Sequence, residues 1–208
     1  MCVISINTVM SRSYLFHSII HRSSTIILDD IKIRLIEARD AEQISAYYQR
    51  NRHFLAPWEP LRHEAFFSLA GWQQRLEQIA TLHRHEMAFY FVIEHRETNT
   101  IIGVINFSNL VKSPFYACHV GYSLDQEHQG KAVMRRALTA VCEWIFIDKH
   151  FHRVMAAYMP HNNKSGGVLT AVGFEQEGLA KDYLLINGQW QDHILTSLVN
   201  PNWSLPIN

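Results

Sequence analysis

The sequence has little cysteine, no excess of either charge and no long apolar run. Its three cysteines, Cys2, Cys118 and Cys142, are too few and too scattered for a disulfide framework or a four-ligand zinc site. Lysine plus arginine and aspartate plus glutamate number 19 each, so we expect no stable binding of nucleic acid. No stretch approaches the ~20 apolar residues of a membrane span, so no membrane partner is expected. These features favour a globular protein in a reducing cytoplasm.

The chain also lacks internal repeats and low-complexity linkers, and its 208 residues fit a single domain. Residues 1–28 are interpreted as a leader whose order the sequence does not specify, followed by one domain over residues 29–208. A secretory signal needs a positive charge before its apolar stretch, whereas the first basic residue here is Arg12. The arrangement does not favour a signal peptide, and a translation start at Met10 stays open.

The periodicity of apolar residues divides the domain into strands and helices. The predicted strands cover residues 31–36, 88–93, 101–108, 115–124 and 153–158, with two more within 174–198. The predicted helices cover residues 40–50, 71–85, 130–150 and 162–173. A turn at Asn187-Gly188 joins the last two strands as a hairpin. This order predicts one α/β domain, α+β in some classifications, with a mixed, mostly antiparallel sheet of about six to seven strands and helices on both faces.

The segment between the fourth predicted strand and the third predicted helix is a candidate phosphate site. Gly130 and Ala132 stand where the helix is predicted to begin, and small residues there let a phosphate approach the unpaired N–H groups of the helix start. A Walker loop is excluded, because Asp125 and Ala132 occupy positions that require glycine and serine or threonine. An ordinary strand-to-helix turn is the alternative at this point.

A second helix start, at His161-Asn162-Asn163-Lys164-Ser165, follows the next predicted strand. Because both helix starts follow strands, they can lie at one edge of the sheet and share a ligand. The alternative is that Asn162 simply caps its helix.

Together the two segments resemble the GCN5-related N-acetyltransferases, the GNAT family, whose pyrophosphate loop reads Arg/Gln-x-x-Gly-x-Gly/Ala. Here residues 127–132 read Glu-His-Gln-Gly-Lys-Ala, and Glu127 departs from the family pattern. The pair Asn162-x-x-Ser165, followed by Val172-Gly173-Phe174, is similar to the second signature of the family. The order of predicted strands and helices also matches. The resemblance implies a single-domain GNAT fold whose fourth and fifth strands splay apart around the pantetheine arm of acetyl-CoA.

The resemblance also implies that acetyl-CoA is the co-substrate, and it implies which residues bind it. These are Tyr122, Ser123, Leu124, His128, Gln129, Gly130, Lys131, Ala132, Val133, Asn162 and Ser165. The sequence has 13 histidines, but His83-x-His85 and His150-x-His152 have no carboxylate at ligand spacing. We therefore expect no metal.

Four longer strings narrow the resemblance to the ribosomal-protein N-terminal acetyltransferases within that family. They cover residues 51–60, 102–109, 158–162 and 180–190, and the match as a whole spans about residues 31–203. This similarity implies acetyl transfer to the N-terminal α-amine of alanine on a ribosomal protein. The implied partner is the N-terminal segment of that protein or the small ribosomal subunit that carries it, with the enzyme a monomer or a homodimer.

Direct attack of an amine on a thioester needs a neutral amine. The pKa of an α-amine is near 8, against ~10.4 for lysine, so a strong general base is less necessary for an N-terminal substrate. Asp182, Glu177 and Glu59 are candidates to orient or deprotonate the amine, directly or through water. A solvated surface carboxylate is the alternative for each. We expect Asp182 to act as the base and Glu59 to hold the ammonium.

The leaving thiolate needs a proton. Many members of the family place a tyrosine for this purpose at the position that Leu169 occupies here. We therefore predict that Ser165 is the acid, with Tyr158 and Tyr183 in reserve. Cys118 and Cys142 are expected in the core, since neither follows a nucleophile pattern.

The residues expected to bind the peptide substrate are mostly aromatic, and core packing is the alternative for Phe54, Trp58 and Tyr90. They are Phe54, Trp58, Glu59, Tyr90, Asn106 and Tyr183. Two other functions stay open. The chain can be a GNAT enzyme for another amine, such as a polyamine, an antibiotic or lysine, or a ribosome-assembly or regulatory binding protein with the same fold.

Overall fold

A computed structural model describes residues 25–205, so residues 1–24 of the predicted leader lie outside the described residues. Within the described residues, eight strands form one open sheet. They are β1 (Ile26–Leu28), β2 (Ile31–Leu35), β3 (Phe89–His95), β4 (Ile101–Val111), β5 (Ala117–Leu124), β6 (Arg153–Tyr158), β7 (Glu175–Ile186) and β8 (Gln189–Val199). Across the sheet their order is β1-β2-β3-β4-β5-β6-β8-β7. Only the pair β5–β6 is parallel among the strands of the described residues.

Helices cover both faces of the sheet, as predicted. The α-helices are α1 (Ala41–Arg50), α2 (Arg52–Leu55), α3 (Leu69–Arg84), α4 (Val133–Ile147) and α5 (Asn163–Val172). Successive strand residues point to opposite faces, so Phe91 packs with α4 and α5 whereas Val92 packs with α1 and α3. We call these two sides the α4 face and the α1 face.

The fold class predicted from the sequence is confirmed: the domain is mixed α/β with a mostly antiparallel sheet. The sheet has one strand more than the predicted six to seven. The additional strand β1 pairs with β2 through Ile26↔Ile33 and Leu28↔Ile31, and it lies before the predicted domain start at residue 29. Three residues are too few to show a strand periodicity in the sequence.

Strands β5 and β6 separate part of the way along their length. They pair only at Ala117↔Arg153, Cys118↔Val154 and His119↔Met155. Beyond these positions β5 continues to Leu124 beside β4 alone, and β6 continues to Tyr158 beside β8 alone. The resulting gap lies between the fourth and fifth predicted strands, where the family resemblance implied a splay.

Helix α4 begins at Val133, not at Gly130 as predicted from the sequence. Gly130 and Ala132 both have left-handed backbone, with φ of 74° and 55°. Left-handed residues cannot continue a right-handed helix, so the chain forms a loop before the helix starts. The loop therefore carries its small residues outside the helix.

Candidate active site

The loop over residues 125–132 is held in place at its first residue. Asp125 is buried, and its carboxylate accepts hydrogen bonds from Arg50 Nε at 2.5 Å and from Asn51 Nδ2 at 3.1 Å. The Asn51 side chain also accepts a hydrogen bond from the backbone N–H of Gln126, at 3.1 Å. Burial raises the pKa of Asp125, but these hydrogen bonds outweigh it and the pKa is lowered. The end of α1 thus fixes the geometry of the loop.

The rest of the loop is open above its small residues. A Cβ atom added at Gly130 would meet nothing within 4 Å, so the backbone there is accessible to a ligand. The first N–H groups of α4 have no partner within the helix, because it begins with Val133 after this loop. Gln126–His128 forms a short 3-10 turn, and Lys131 is exposed. Backbone N–H groups and open space suit a diphosphate.

The start of α5 contacts both the loop and the gap. Lys164 Nζ donates a hydrogen bond to Gln129 Oε1 at 2.8 Å, which joins α5 to the loop. Asn162 Oδ1 accepts a hydrogen bond from the Ser165 backbone N–H at 3.1 Å, so Asn162 caps the helix. Asn162 therefore acts as the N-cap of α5, which was the alternative interpretation from the sequence. A contact between Asn162 and a cofactor stays a prediction.

Ser165 lies beside the separated part of β5. Its Oγ is 2.9 Å from the hydroxyl of Tyr122, and that hydroxyl also donates to the Ser165 carbonyl oxygen at 3.1 Å. Burial is the main cause that raises the pKa of Tyr122 to about 12, so the phenol is protonated at neutral pH. Tyr158 packs against Gly166, where an added Cβ would lie 2.7 Å from the tyrosine ring. The structure thus brings the predicted residues Ser165, Tyr122 and Tyr158 together on the α4 face.

The segment over residues 52–60 lies across the start of α5. The rings of Trp58 and His161 are 5.5 Å apart, and Lys164 Nζ lies 5.9 Å from the Phe54 ring. The Glu59 carbonyl oxygen accepts a hydrogen bond from the Asn187 N–H at 2.9 Å, so the tip of the β7–β8 hairpin contacts the same segment. Phe54 and Trp58, both predicted to bind the substrate, therefore lie beside the start of α5, which carries the predicted cofactor-binding residues Asn162 and Ser165.

Glu59 is the most desolvated of the candidate bases. Its side chain is 19% exposed, and burial raises its pKa although Arg62 opposes the shift. Its charge also contributes to the raised pKa of Tyr47 and Tyr48, for which burial is the main cause. The Tyr47 hydroxyl is 2.8 Å from Ser123 Oγ, on the separated part of β5. Sequence reasoning missed Tyr47, because its apolar spacing on α1 indicates only a core residue.

The other two candidate bases have different surroundings. Glu177 forms an ion pair with Arg153, at the end of β6 where β5 and β6 still pair, and this hydrogen bond lowers its pKa. An ion-paired carboxylate with a lowered pKa is a weaker proton acceptor than Glu59. Asp182 is exposed on the outermost strand β7, with a φ of 46°, and its backbone N–H binds Asp192 Oδ1 at 2.9 Å. Its catalytic role stays a prediction.

Tyr90, Asn106 and Tyr183 complete the predicted substrate-binding set. Tyr90 pairs with Asn106 across β3 and β4, and Asn106 pairs with Gly121 across β4 and β5. This row is partly exposed on the α1 face and ends at the gap. The Tyr183 ring lies farther out, 5.7 Å from the His193 ring on the hairpin. Substrate contact by these residues stays a prediction.

Within residues 25–205, the two cysteines lie in the core rather than at this site, and no cluster of potential metal ligands is found. Cys118 and Cys142 are buried in the core, and burial raises the pKa of Cys118 to about 12. Leu169, at the position where the resemblance implies a tyrosine acid in many GNAT enzymes, is also buried. No group of three potential metal ligands and no helix long and apolar enough to cross a membrane occurs among the described residues.

Comparison with known proteins identifies the family. A family model described as an acetyltransferase (GNAT) domain matches residues 30–175. The chain therefore belongs to the GNAT acetyltransferase family. An alanine N-acetyltransferase of ribosomal protein uS5 from Escherichia coli K12 is 51% identical over 176 residues, which are 85% of this chain and 91% of that enzyme. Both comparisons confirm the resemblance found in the sequence, and the protein is an acetyltransferase.

Solved structures agree with this assignment. A ribosomal-protein-S5-alanine acetyltransferase from Vibrio fischeri superposes with a TM-score of 0.85 and 51% identity, over 87% of this chain and 99% of that chain. Mycobacterium smegmatis RimJ, solved in complex with CoA-disulfide, gives a TM-score of 0.77 at 28% identity, over 81% of each chain.

Proposed function

We propose that this acetyltransferase transfers the acetyl group of acetyl-CoA to the N-terminal α-amine of alanine on a ribosomal protein, uS5. The observation that carries the proposal is the 51% identity, over 85% of the chain, to the Escherichia coli enzyme named for that reaction. The partner is then the N-terminal segment of uS5, alone or on the small ribosomal subunit, and the site of action is the cytoplasm. The enzyme acts as a monomer or a homodimer.

The residues of the loop and the gap fit acetyl-CoA. The space above Gly130, the left-handed Ala132 and the helix start at Val133 suit the pyrophosphate, with Lys131 and His128 beside it. The backbone of residues 122–124, which faces the gap without a β6 partner, suits the amide groups of the pantetheine arm. When bound there, acetyl-CoA supplies the activated acetyl group.

Residues on the α1 face then guide the substrate, and residues on the α4 face serve the leaving group. Tyr90 and Asn106 form a path along the α1 face by which the peptide terminus reaches the gap. Ser165, held by Tyr122, lies on the α4 face, where a hydroxyl can hydrogen-bond the leaving sulfur and supply its proton. No covalent enzyme intermediate is needed.

A peptide assay tests the α-amine preference. Purified protein is given acetyl-CoA and a peptide with the N-terminal sequence of uS5, and the product is located by tandem mass spectrometry. The matched control peptide has a blocked N-terminus and retains its lysines. Acetylation of the α-amine alone supports the proposal, whereas equal or faster acetylation of lysine would contradict it. Polyamines in the same assay test the other amine class.

A further inference from the structure

We propose that Glu59 binds the α-ammonium group of the substrate and accepts the proton that this group must lose. The inference rests on the proposed function, because it concerns the amine that attacks the thioester. It assigns the base to the segment over residues 52–60 on the α1 face, rather than to Asp182 on the outermost strand.

The position of Glu59 supports this role. Its own segment contacts the start of α5 through Trp58 and His161, whose rings are 5.5 Å apart, and that start also carries Ser165. On its other side the Glu59 carbonyl oxygen is bound by Asn187 of the hairpin tip. Glu59 is also close enough to Tyr47 of α1 for its charge to act on that phenol, and the Tyr47 hydroxyl lies 2.8 Å from Ser123 Oγ on the separated part of β5. This chain of contacts links Glu59 to the gap.

The carboxylate is also incompletely neutralised. Arg62 Nε is 3.5 Å from Glu59 Oε2, at the outer limit of a hydrogen bond, and this buried Nε makes no hydrogen bond to any described residue. The charge of Glu59 also acts on Tyr47 and Tyr48 of α1, and Arg75 of α3 acts on Tyr48. His161, before α5, contacts the neighbouring Trp58. A mostly buried carboxylate with one loose cationic partner can accept an ammonium group as a second partner.

The chemistry balances with Glu59 as the acceptor. One proton passes from the ammonium nitrogen to a Glu59 carboxylate oxygen and then to water, which leaves a neutral amine. The nitrogen lone pair forms the C–N bond to the acetyl carbon, the C–S bond breaks with its electron pair on sulfur, and the nitrogen loses a second proton to solvent. The sulfur takes a proton from the Ser165 hydroxyl, which recovers it from solvent. The net products are the amide, the thiol and one proton.

Burial makes Glu59 a better proton acceptor than an exposed carboxylate. The raised pKa of Glu59 brings it closer to the pKa of an α-amine, which is near 8, and proton transfer is more efficient when the two values approach each other. Asp182 lacks such burial, since the structure places it on the exposed part of β7.

The test compares Glu59→Gln with the matched variant Glu64→Gln across a pH series, using the Ala-starting peptide. Glu64 is exposed and paired at the surface with Arg52, at the opposite end of the segment from Glu59. We expect Glu59→Gln to lower kcat/KM about 10²-fold at pH 7 and the deficit to narrow above the amine pKa, since a neutral amine needs no proton acceptor. Calorimetry should show unchanged affinity for acetyl-CoA, which also verifies that the variant is folded. Glu64→Gln should behave as the wild type.

Two results would overturn the proposal. One is full activity of Glu59→Gln at pH 7. The other is a deficit that stays constant with pH, which would assign Glu59 to packing or binding alone. Asp182→Asn is the competing variant, and a pH-dependent loss there with none in Glu59→Gln would assign the base to Asp182. If the wild type acetylates lysine instead of the α-amine, the proposed function fails, and the same variants tested on that lysine peptide still decide the role of Glu59.

Discussion

The hydroxyl groups of Tyr122 and Ser165 lie 2.9 Å apart and join the separated part of β5 to the first turn of α5. The pair sits on the α4 face, whereas Tyr47, on which the charge of Glu59 acts, contacts the same gap from the α1 face. An amine that enters from one face and a thiol that leaves toward the other would therefore meet different proton-handling groups. The groups on each face can therefore be tested separately by substitution.

On the α4 face, Ser165→Ala should lower kcat by about 10²-fold or less, because a serine hydroxyl is a weak acid. Tyr122→Phe should lower kcat less, since it removes only the hydrogen bond that positions Ser165. Affinity for acetyl-CoA should change little in either variant. Steady-state kinetics together with calorimetry checks this, under conditions where the chemical step limits the rate. Full kcat in Ser165→Ala would move the proton donor to another group, with Tyr158→Phe as the next variant.

The loop before α4 should bind the diphosphate of acetyl-CoA. Ala132→Glu places bulk and negative charge beside the backbone that must accept it, so the dissociation constant should rise at least about tenfold, or ~1.4 kcal/mol. Thr139→Glu adds the same charge to an exposed position farther along α4 and serves as the control. Calorimetry with acetyl-CoA measures both. Equal dissociation constants for folded Ala132→Glu and wild type would contradict the assignment of the loop.

Two adjacent glycines of α5 should respond in opposite directions. Gly166→Ala directs a Cβ to within 2.7 Å of the Tyr158 ring, so the tyrosine must move and stability should fall by about 1–3 kcal/mol. Gly167→Ala meets nothing within 4 Å in the same helix, and alanine there should raise stability by up to about 1 kcal/mol. Chemical denaturation of both variants measures the difference. A stable Gly166→Ala would mean that Tyr158 does not pack on α5.

Replacing Glu59 should reveal a stability cost of its buried charge. A carboxyl group whose pKa is raised on folding costs nothing below its unfolded value near 4.5, and its cost grows as the pH rises through the raised value. Glu59→Gln should therefore melt at a higher temperature than the wild type at pH 7, with the gain disappearing below about pH 4.5. Glu64→Gln should show no such gain, because its exposed carboxylate already has a lowered pKa. A lower melting temperature for Glu59→Gln at pH 7 would contradict this.

The order of strands and helices was predictable from the sequence because each element has its own local period. The hairpin turn at Asn187-Gly188 and the start of α5 at Asn162 also follow from side chains that favour a single local conformation. Two motifs on neighbouring strand-to-helix connections were enough to indicate the GNAT family. The separation of β5 from β6 was expected through that resemblance and not from the residues themselves.

The features that were missed depend on contacts between distant parts of the chain. Asn51 and Arg50 reach Asp125 across 74 and 75 positions, and no local pattern connects them. The start of α4 was placed too early because alanine shows no preference for the left-handed backbone that Ala132 adopts. Glu59 is buried because distant parts of the chain, α1 and the β7–β8 hairpin, pack near it. Its position between Pro57 and Pro60 did not indicate this burial.

Mass spectrometry of ribosomal proteins from cells with and without the gene tests the central claim most directly. The proposed function predicts that uS5 carries one acetyl group on its N-terminal alanine in wild-type cells and none in the deletion strain. Acetylation should return with the wild-type gene but not with the Ala132→Glu variant expressed at the same level. An unchanged acetyl group on uS5 in the deletion strain, or a loss of acetylation on a different protein alone, would contradict it.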